Sequence, residues 1–195
     1  MKVKICGMRD AENVRSVASL KPDYFGFIFY APSSRCCFGL DQEVIASISE
    51  SIEPVMVTVD MDEVDIMRLA DKYGFRIVQL HGGESSDMCW SLRNRGLKVI
   101  KALGLQSQDD LKTLERYEGA VDLFLFDTAC ATKGGSGKKF DWKILSSYNM
   151  DIDFMLSGGI GPEDADSLNN FTHPKFVGID LNSRFESAPG LKDPY

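Results

Sequence analysis

Eight short runs rich in β-branched and aromatic residues punctuate the chain: Lys2–Cys6, Asp23–Tyr30, Pro54–Asp60, Arg76–Gly82, Lys98–Gly104, Asp122–Thr128, Asp153–Gly159 and Lys175–Leu181. Most are apolar at consecutive rather than alternate positions, the pattern of strands buried on both faces. Between them lie segments of helical period with start signals: Asp10 before AENVRSVASL, Asp41 before QEVIASI, Ser107 with Asp110 three residues on, and Pro162 after Gly161. Gly74, Gly96 and Gly119 stand where left-handed helix ends belong.

Strand and helix alternate for the whole length, which predicts a parallel sheet with covering helices. Strand starts recur at intervals of about 22 residues, and two intervals are longer by about nine. Eight such units in about 200 residues predict a single α/β domain over residues 1–195, a small (β/α)8 barrel. A doubly wound open sheet is the alternative, because element order alone does not prove closure. The surplus residues, APSSRCCFGL and ACATKGGSGKKF, follow the second and sixth strands. Both therefore fall on the face where barrels of this kind carry their sites.

Composition adds little to this picture, but charge narrows it. With 44% hydrophobic and 26% charged residues the chain reads as an ordinary folded protein. A net charge of -7 repels polyanions, so nucleic acid and acidic membrane surfaces are not expected partners. A small anion remains possible, since a few backbone N–H groups can hold one phosphate. Five cysteines without a CxxC pair, and no long apolar stretch, read as a cytoplasmic protein in a reducing compartment. Two histidines and no ligand-spaced cluster give a metal site little support.

Titratable residues collect at the strand ends. Cys6 shares its strand facing with Lys4 and Lys2, and a thiol beside positive charge can act as base or nucleophile; the plain alternative is a buried small hydrophobe. Asp127 ends the apolar run VDLFLF, where it either emerges at the rim as a candidate acid or caps a loop. LSGGIGPEDA places Gly158 and Gly159 before a helix start, a candidate anion cradle, and the eighth strand delivers Asn182 and Ser183 beside it. GGSGKK does not match a phosphate-binding P-loop and reads as a lid. Arg35 in the second loop suits a carboxylate, while adjacent Cys36 and Cys37 read as packing residues.

VKICGMRD, DYFGFIF, VQLHG, FLFDT, GGSGKKFDW, LSGGIGPEDA and the closing PGLKDP together resemble the phosphoribosylanthranilate isomerase family from end to end. The resemblance implies a metal-free and cofactor-free Amadori rearrangement of a phosphosugar, with Cys6 as general base, Asp127 as general acid and Arg35 on the anthranilate carboxylate. It assigns Gly158, Gly159, Asn182 and Ser183 to the phosphate, and His81 and Asp180 to the polar lining. A monomer or homodimer is expected. Two departures stand out. Arg184 replaces a glycine of the family, so either the loop differs or its guanidinium adds a phosphate contact. After PGLKDPY the family continues into an eighth helix, which is expected to be missing here. The rival readings are the histidine-pathway isomerase, which carries aspartate in place of Cys6, a non-catalytic phosphosugar-binding barrel, and a thiol redox protein built on Cys36 and Cys37.

Overall fold

The computed structural model describes residues 1–128 and 141–194. Eight parallel strands close into a barrel in sequence order: β1 (Lys2–Cys6), β2 (Tyr24–Phe29), β3 (Glu53–Thr58), β4 (Ile77–Leu80), β5 (Lys98–Leu105), β6 (Leu123–Thr128), β7 (Phe154–Leu156) and β8 (Phe176–Leu181). Closure runs through β1 and β8, where Lys4 lies opposite Asp180, and it excludes the open-sheet alternative. β1 coincides with its expected run, β3 begins one residue earlier and β5 ends one residue later. The other five strands are shorter than expected, β7 by four residues, where polar and glycine-rich ends turn into loops. Their two-sided burial is visible in two separate cores. Val55, Val57, Ile77, Ile100, Ala102, Leu125 and Met155 fill the barrel, while Met56, Val78, Val99, Phe124 and Phe154 face outward against the helices.

The covering layer contains α1 (Ala11–Ala18), α2 (Gln42–Ala46), α3 (Glu63–Tyr73), α4 (Ser86–Asn94), α5 (Asp109–Lys112) and α6 (Ala165–Asn170). Asp10 and Asp41 cap as expected, each accepting a backbone N–H two or three residues on. Asp62 and Ser85 do the same for α3 and α4. Gly74 ends α3 in the left-handed region. The Ser107–Asp110 box is only half formed. The Asp110 carboxylate accepts from the Ser107 backbone N–H, but α5 begins later and lasts one turn before a 3-10 helix at Thr113–Tyr117. After β6 the described chain resumes in another 3-10 helix, Trp142–Ser147. The expected lid GGSGKK lies outside the described residues.

No α-helix follows β8 among the described residues, in line with the sequence expectation. A 3-10 turn (Ser183–Phe185) leads instead into an antiparallel hairpin of β9 (Glu186–Ala188) and β10 (Leu191–Lys192). Asn13 of α1 pins the hairpin by hydrogen bonds to both the N–H and the carbonyl of Lys192. No helix among the described residues is long and apolar enough to cross a membrane.

Candidate active site

The alternation of β1 turns Lys4 and Cys6 into the barrel, one step apart and beneath its C-terminal mouth. Cys6 is paired with Gly26 of β2, and the glycine is needed there. A Cβ on Gly26 would fall 2.8 Å from Cys6 Sγ and 3.1 Å from Lys4 Nζ. Lys4 is fully buried and donates to Asp180 Oδ1 at 2.9 Å, while Ser157 Oγ reaches Asp180 Oδ2 at 3.5 Å. Lys2 is not part of this group, because its ammonium is engaged by the Tyr24 hydroxyl. Burial opposes the Lys4 charge, yet Asp180 and Cys6 hold its pKa above the usual value. Burial pushes the Cys6 thiol up, and the Lys4 ammonium pulls it back. Burial also raises the Asp180 carboxyl, with Lys4 again opposing. The result is a fixed cation within reach of a thiol, a setting that stabilises a thiolate when one forms.

Asp127 stands at the end of β6, three strands from β1 around the closed sheet. His81 Nε2 lies 3.3 Å from Asp127 Oδ2, and Gln79 Nε2 lies 3.2 Å from His81 Nδ1. If the Gln79 amide donates to Nδ1, the imidazole proton sits on Nε2 and faces Asp127. Gln79 is fully buried inside the barrel, and its Oε1 has no hydrogen-bond partner among the described residues. Asp180 links the two sides, since both Asp127 and His81 act on its charge.

Arg35 reaches the same mouth from the loop after β2. Its stem crosses Gly7, where a Cβ would fall 2.8 Å from Arg35 Cδ. The guanidinium is held by Glu186, with Nε at 2.9 Å from Oε1 and Nη2 at 2.6 Å from Oε2. Lys192 Nζ joins Glu186 Oε1 at 2.5 Å and Asn182 Oδ1 at 2.7 Å. Burial alone would raise the Glu186 carboxyl, but Arg35 and Lys192 hold it below its usual value.

Gly158 and Gly159, with φ of 91° and 72°, turn the chain after β7. Space beside Gly159 is open, with nothing within 4 Å of a Cβ built there. The cradle is smaller than the sequence implies, because the Gly161 N–H is already taken by Asp164 Oδ2 at 2.8 Å. Asn182 likewise spends its side-chain oxygen on Lys192, whereas Ser183 is exposed at the start of the 3-10 turn. Arg184 does not adopt a positive φ, so the loop differs from one built on glycine. Its Nη2 pairs with Glu163 Oε1 at 2.8 Å, across the two loops.

Glu186 and Lys192 were not among the expected site residues, although PGLKDP contains the lysine; nor was Gln79, which lies in the quoted VQLHG. Cys37 is buried, donates its thiol to the Ile28 carbonyl and is pushed up in pKa by burial, as suits a packing residue.

Residues 3–195 match the sequence pattern of the family described as N-(5'phosphoribosyl)anthranilate (PRA) isomerase. The chain belongs to this isomerase family. A relative from Parabacteroides distasonis, named N-(5'-phosphoribosyl)anthranilate isomerase, is 47% identical over 99% of this chain and 88% of its own length. The phosphoribosyl anthranilate isomerase from Thermotoga maritima is similar in structure, with a TM-score of 0.87, 31% identity, and coverage of 100% of this chain and 93% of that one. A further isomerase of the family, crystallised with reduced 1-(o-carboxyphenylamino)-1-deoxyribulose 5-phosphate, is similar at a TM-score of 0.83 and 28% identity, covering 100% of this chain and 93% of that one. These isomerases share the closed barrel found here, so the fold and the family agree.

Proposed function

We propose that this chain catalyses the Amadori rearrangement of N-(5'-phosphoribosyl)anthranilate to 1-(2-carboxyphenylamino)-1-deoxyribulose 5-phosphate in tryptophan biosynthesis. The observation that carries the assignment of roles is the placement of a thiol beside a buried ammonium on β1, with a carboxylate on β6 beyond it around the same mouth. Asp127, as the acid, protonates the furanose ring oxygen and the ring opens to an imine. Cys6, as thiolate, then takes the C2 proton and leaves an enolamine. Moving the enol proton from O2 to C1 gives the ketone, so substrate and product are isomers. Return of a proton from Cys6 to Asp127 through solvent resets the pair.

The remaining residues hold the substrate. Arg35 takes the anthranilate carboxylate as a bidentate pair. Backbone N–H groups at Gly158, Gly159 and Ser183 take the phosphate, with Asn182 shaping the loop, and Arg184 stands near enough in sequence to add a contact if it leaves Glu163. His81 and Asp180 line the sugar between the acid and the base. The net charge of -7 favours a small phosphosugar over nucleic acid as the partner, and a reducing cytoplasm suits the free thiol. Turnover of N-(5'-phosphoribosyl)anthranilate, followed by the change in anthranilate fluorescence, is the test. Wild type is expected to turn over, whereas Cys6→Ser and Asp127→Asn are each expected to lower kcat about 10²–10⁴-fold with modest change in KM. Near wild-type rates in both folded variants would remove this mechanism, and turnover of the histidine-pathway substrate instead would reassign the enzyme.

A further inference from the structure

The roles above leave a heavily hydrogen-bonded carboxylate of the mouth, Glu186, without a task. Glu186 has a side chain only 4% exposed, and it accepts from Arg35, from Lys192 and from the Gly190 N–H at 3.1 Å. Lys192 is 2% exposed, so the hairpin delivers a buried anion and a buried cation to one point. The way Glu186 grips Arg35 is specific. A guanidinium has two forks that fit a carboxylate, the side fork of Nε and Nη2 and the end fork of Nη1 and Nη2. Glu186 occupies the side fork, with Oε1 on Nε and Oε2 on Nη2. Among the described residues the end fork carries no carboxylate, which leaves it for another one, and the guanidinium plane that carries it is fixed by the first.

We propose that Glu186 is the positioning residue of Arg35: it holds the side fork so that the end fork is preset toward the carboxylate of the substrate. The proposal rests on the reading of Arg35 as the carboxylate contact. The surrounding framework makes the setting rigid. Asn13 clamps the Lys192 backbone on both sides, and Arg9 lies across Gly190 while donating to the Ser34 carbonyl at 2.6 Å. The hairpin and the loop that bears Arg35 are thus tied together through Arg9. Glu186 also lies between two cations, and without it Arg35 and Lys192 would face each other as like charges.

The test compares two reduced product analogues as inhibitors of the full chain, one with the 2-carboxyl group on the phenylamino ring and one without it. The readout is the ratio of their inhibition constants. Wild type is expected to favour the carboxylated analogue, and Arg35→Ala to abolish the preference. Glu186→Gln is expected to cut it about tenfold, with KM rising and kcat changing less than about threefold. In the Arg35→Ala background, Glu186→Gln is expected to change the ratio no further, since its effect acts through the arginine. Because Glu186→Gln strands a buried Lys192 and can cost folding, Glu186→Gln with Lys192→Met removes both charges and is expected to show the same loss of preference. A full preference in folded Glu186 variants, beside its loss in Arg35→Ala, overturns the positioning role. A stronger preference also overturns it, by showing that Glu186 competes with the substrate carboxylate. A preference that survives Arg35→Ala instead brings down the carboxylate reading itself, and this proposal with it.

Discussion

At the scale of single residues, the chemistry of the mouth turns on how far burial and a neighbouring ammonium oppose each other at Cys6. Burial is the larger effect and raises the thiol, so the free enzyme at neutral pH holds mostly thiol, and kcat is expected to climb with pH as the thiolate forms. The sign for stability is opposite. A thiol whose folded value is raised above its unfolded one contributes stability that is complete below the ordinary thiol range and is lost as pH rises toward the folded value. Activity and stability are therefore expected to diverge between neutral and alkaline pH, measurable as a rising kcat alongside a falling Tm. Cys6→Asp separates base strength from packing, because a carboxylate retains a basic site where Cys6→Ser does not. More residual turnover in Cys6→Asp than in Cys6→Ser is the expected result, and the reverse order would mean that Cys6 acts by filling space. The sequence placed Cys6, Asp127 and His81 at strand ends from local pattern alone. It did not reveal that Lys4 is neutralised by Asp180, 176 residues away, or that Arg35 is gripped by Glu186, 151 residues away. Such pairs depend on barrel closure, which no local window contains.

The elements show the same division between local and closure-dependent features. The strands were legible because burial on both faces leaves runs with no polar alternation, and the caps Asp10 and Asp41 because a carboxylate that accepts N–H bonds at a helix start acts within one turn. Helix length was less legible. The segments after β5 and β6 end as 3-10 turns, whose buried Leu114, Tyr117 and Leu145 pack into the outer core, an outcome of tertiary packing rather than of local pattern. The loop after β7 carries the prediction at this scale. Gly159 sits at φ 72° with open space around it, and aspartate is among the few residues that tolerate the left-handed region. Gly159→Asp is thus expected to fold while placing a negative charge where the phosphate is proposed to bind. Inhibition by inorganic phosphate is expected to weaken in parallel with a rise in substrate KM. Phosphate inhibition unchanged beside a raised KM would put the anion at a different loop.

For the whole molecule, the closing strands are the least covered part of the barrel. Most outward apolar residues of the middle strands, among them Met56, Val78, Leu80, Val99, Phe124, Phe126, Phe154 and Leu156, have no exposed surface, Leu103 on β5 being partly exposed. Their counterparts Val3 and Ile5 on β1, and Phe176 and Leu181 on β8, keep part of theirs. The hairpin of β9 and β10 covers this seam near Asn13 but supplies only a two-stranded ribbon where the other units supply helices or turns. Full burial of a Leu or Ile side chain is worth about 1.5–3 kcal/mol, and a partly exposed one contributes less. Ile5→Ala is accordingly expected to cost under about 2 kcal/mol, whereas Leu80→Ala, in the sealed part of the same core, is expected to cost about 2–5 kcal/mol. For a chain of this size each kcal/mol moves Tm by about 2–4 °C, which makes the two variants separable by thermal unfolding. Amide exchange is expected to follow the same order, with β1 and β8 opening before β3 and β4, because low local burial lowers the free energy of local opening. Equal costs for the two substitutions at low protein concentration would show the seam to be sealed within one chain. A cost at Ile5 that grows with protein concentration would instead show that a second copy covers it.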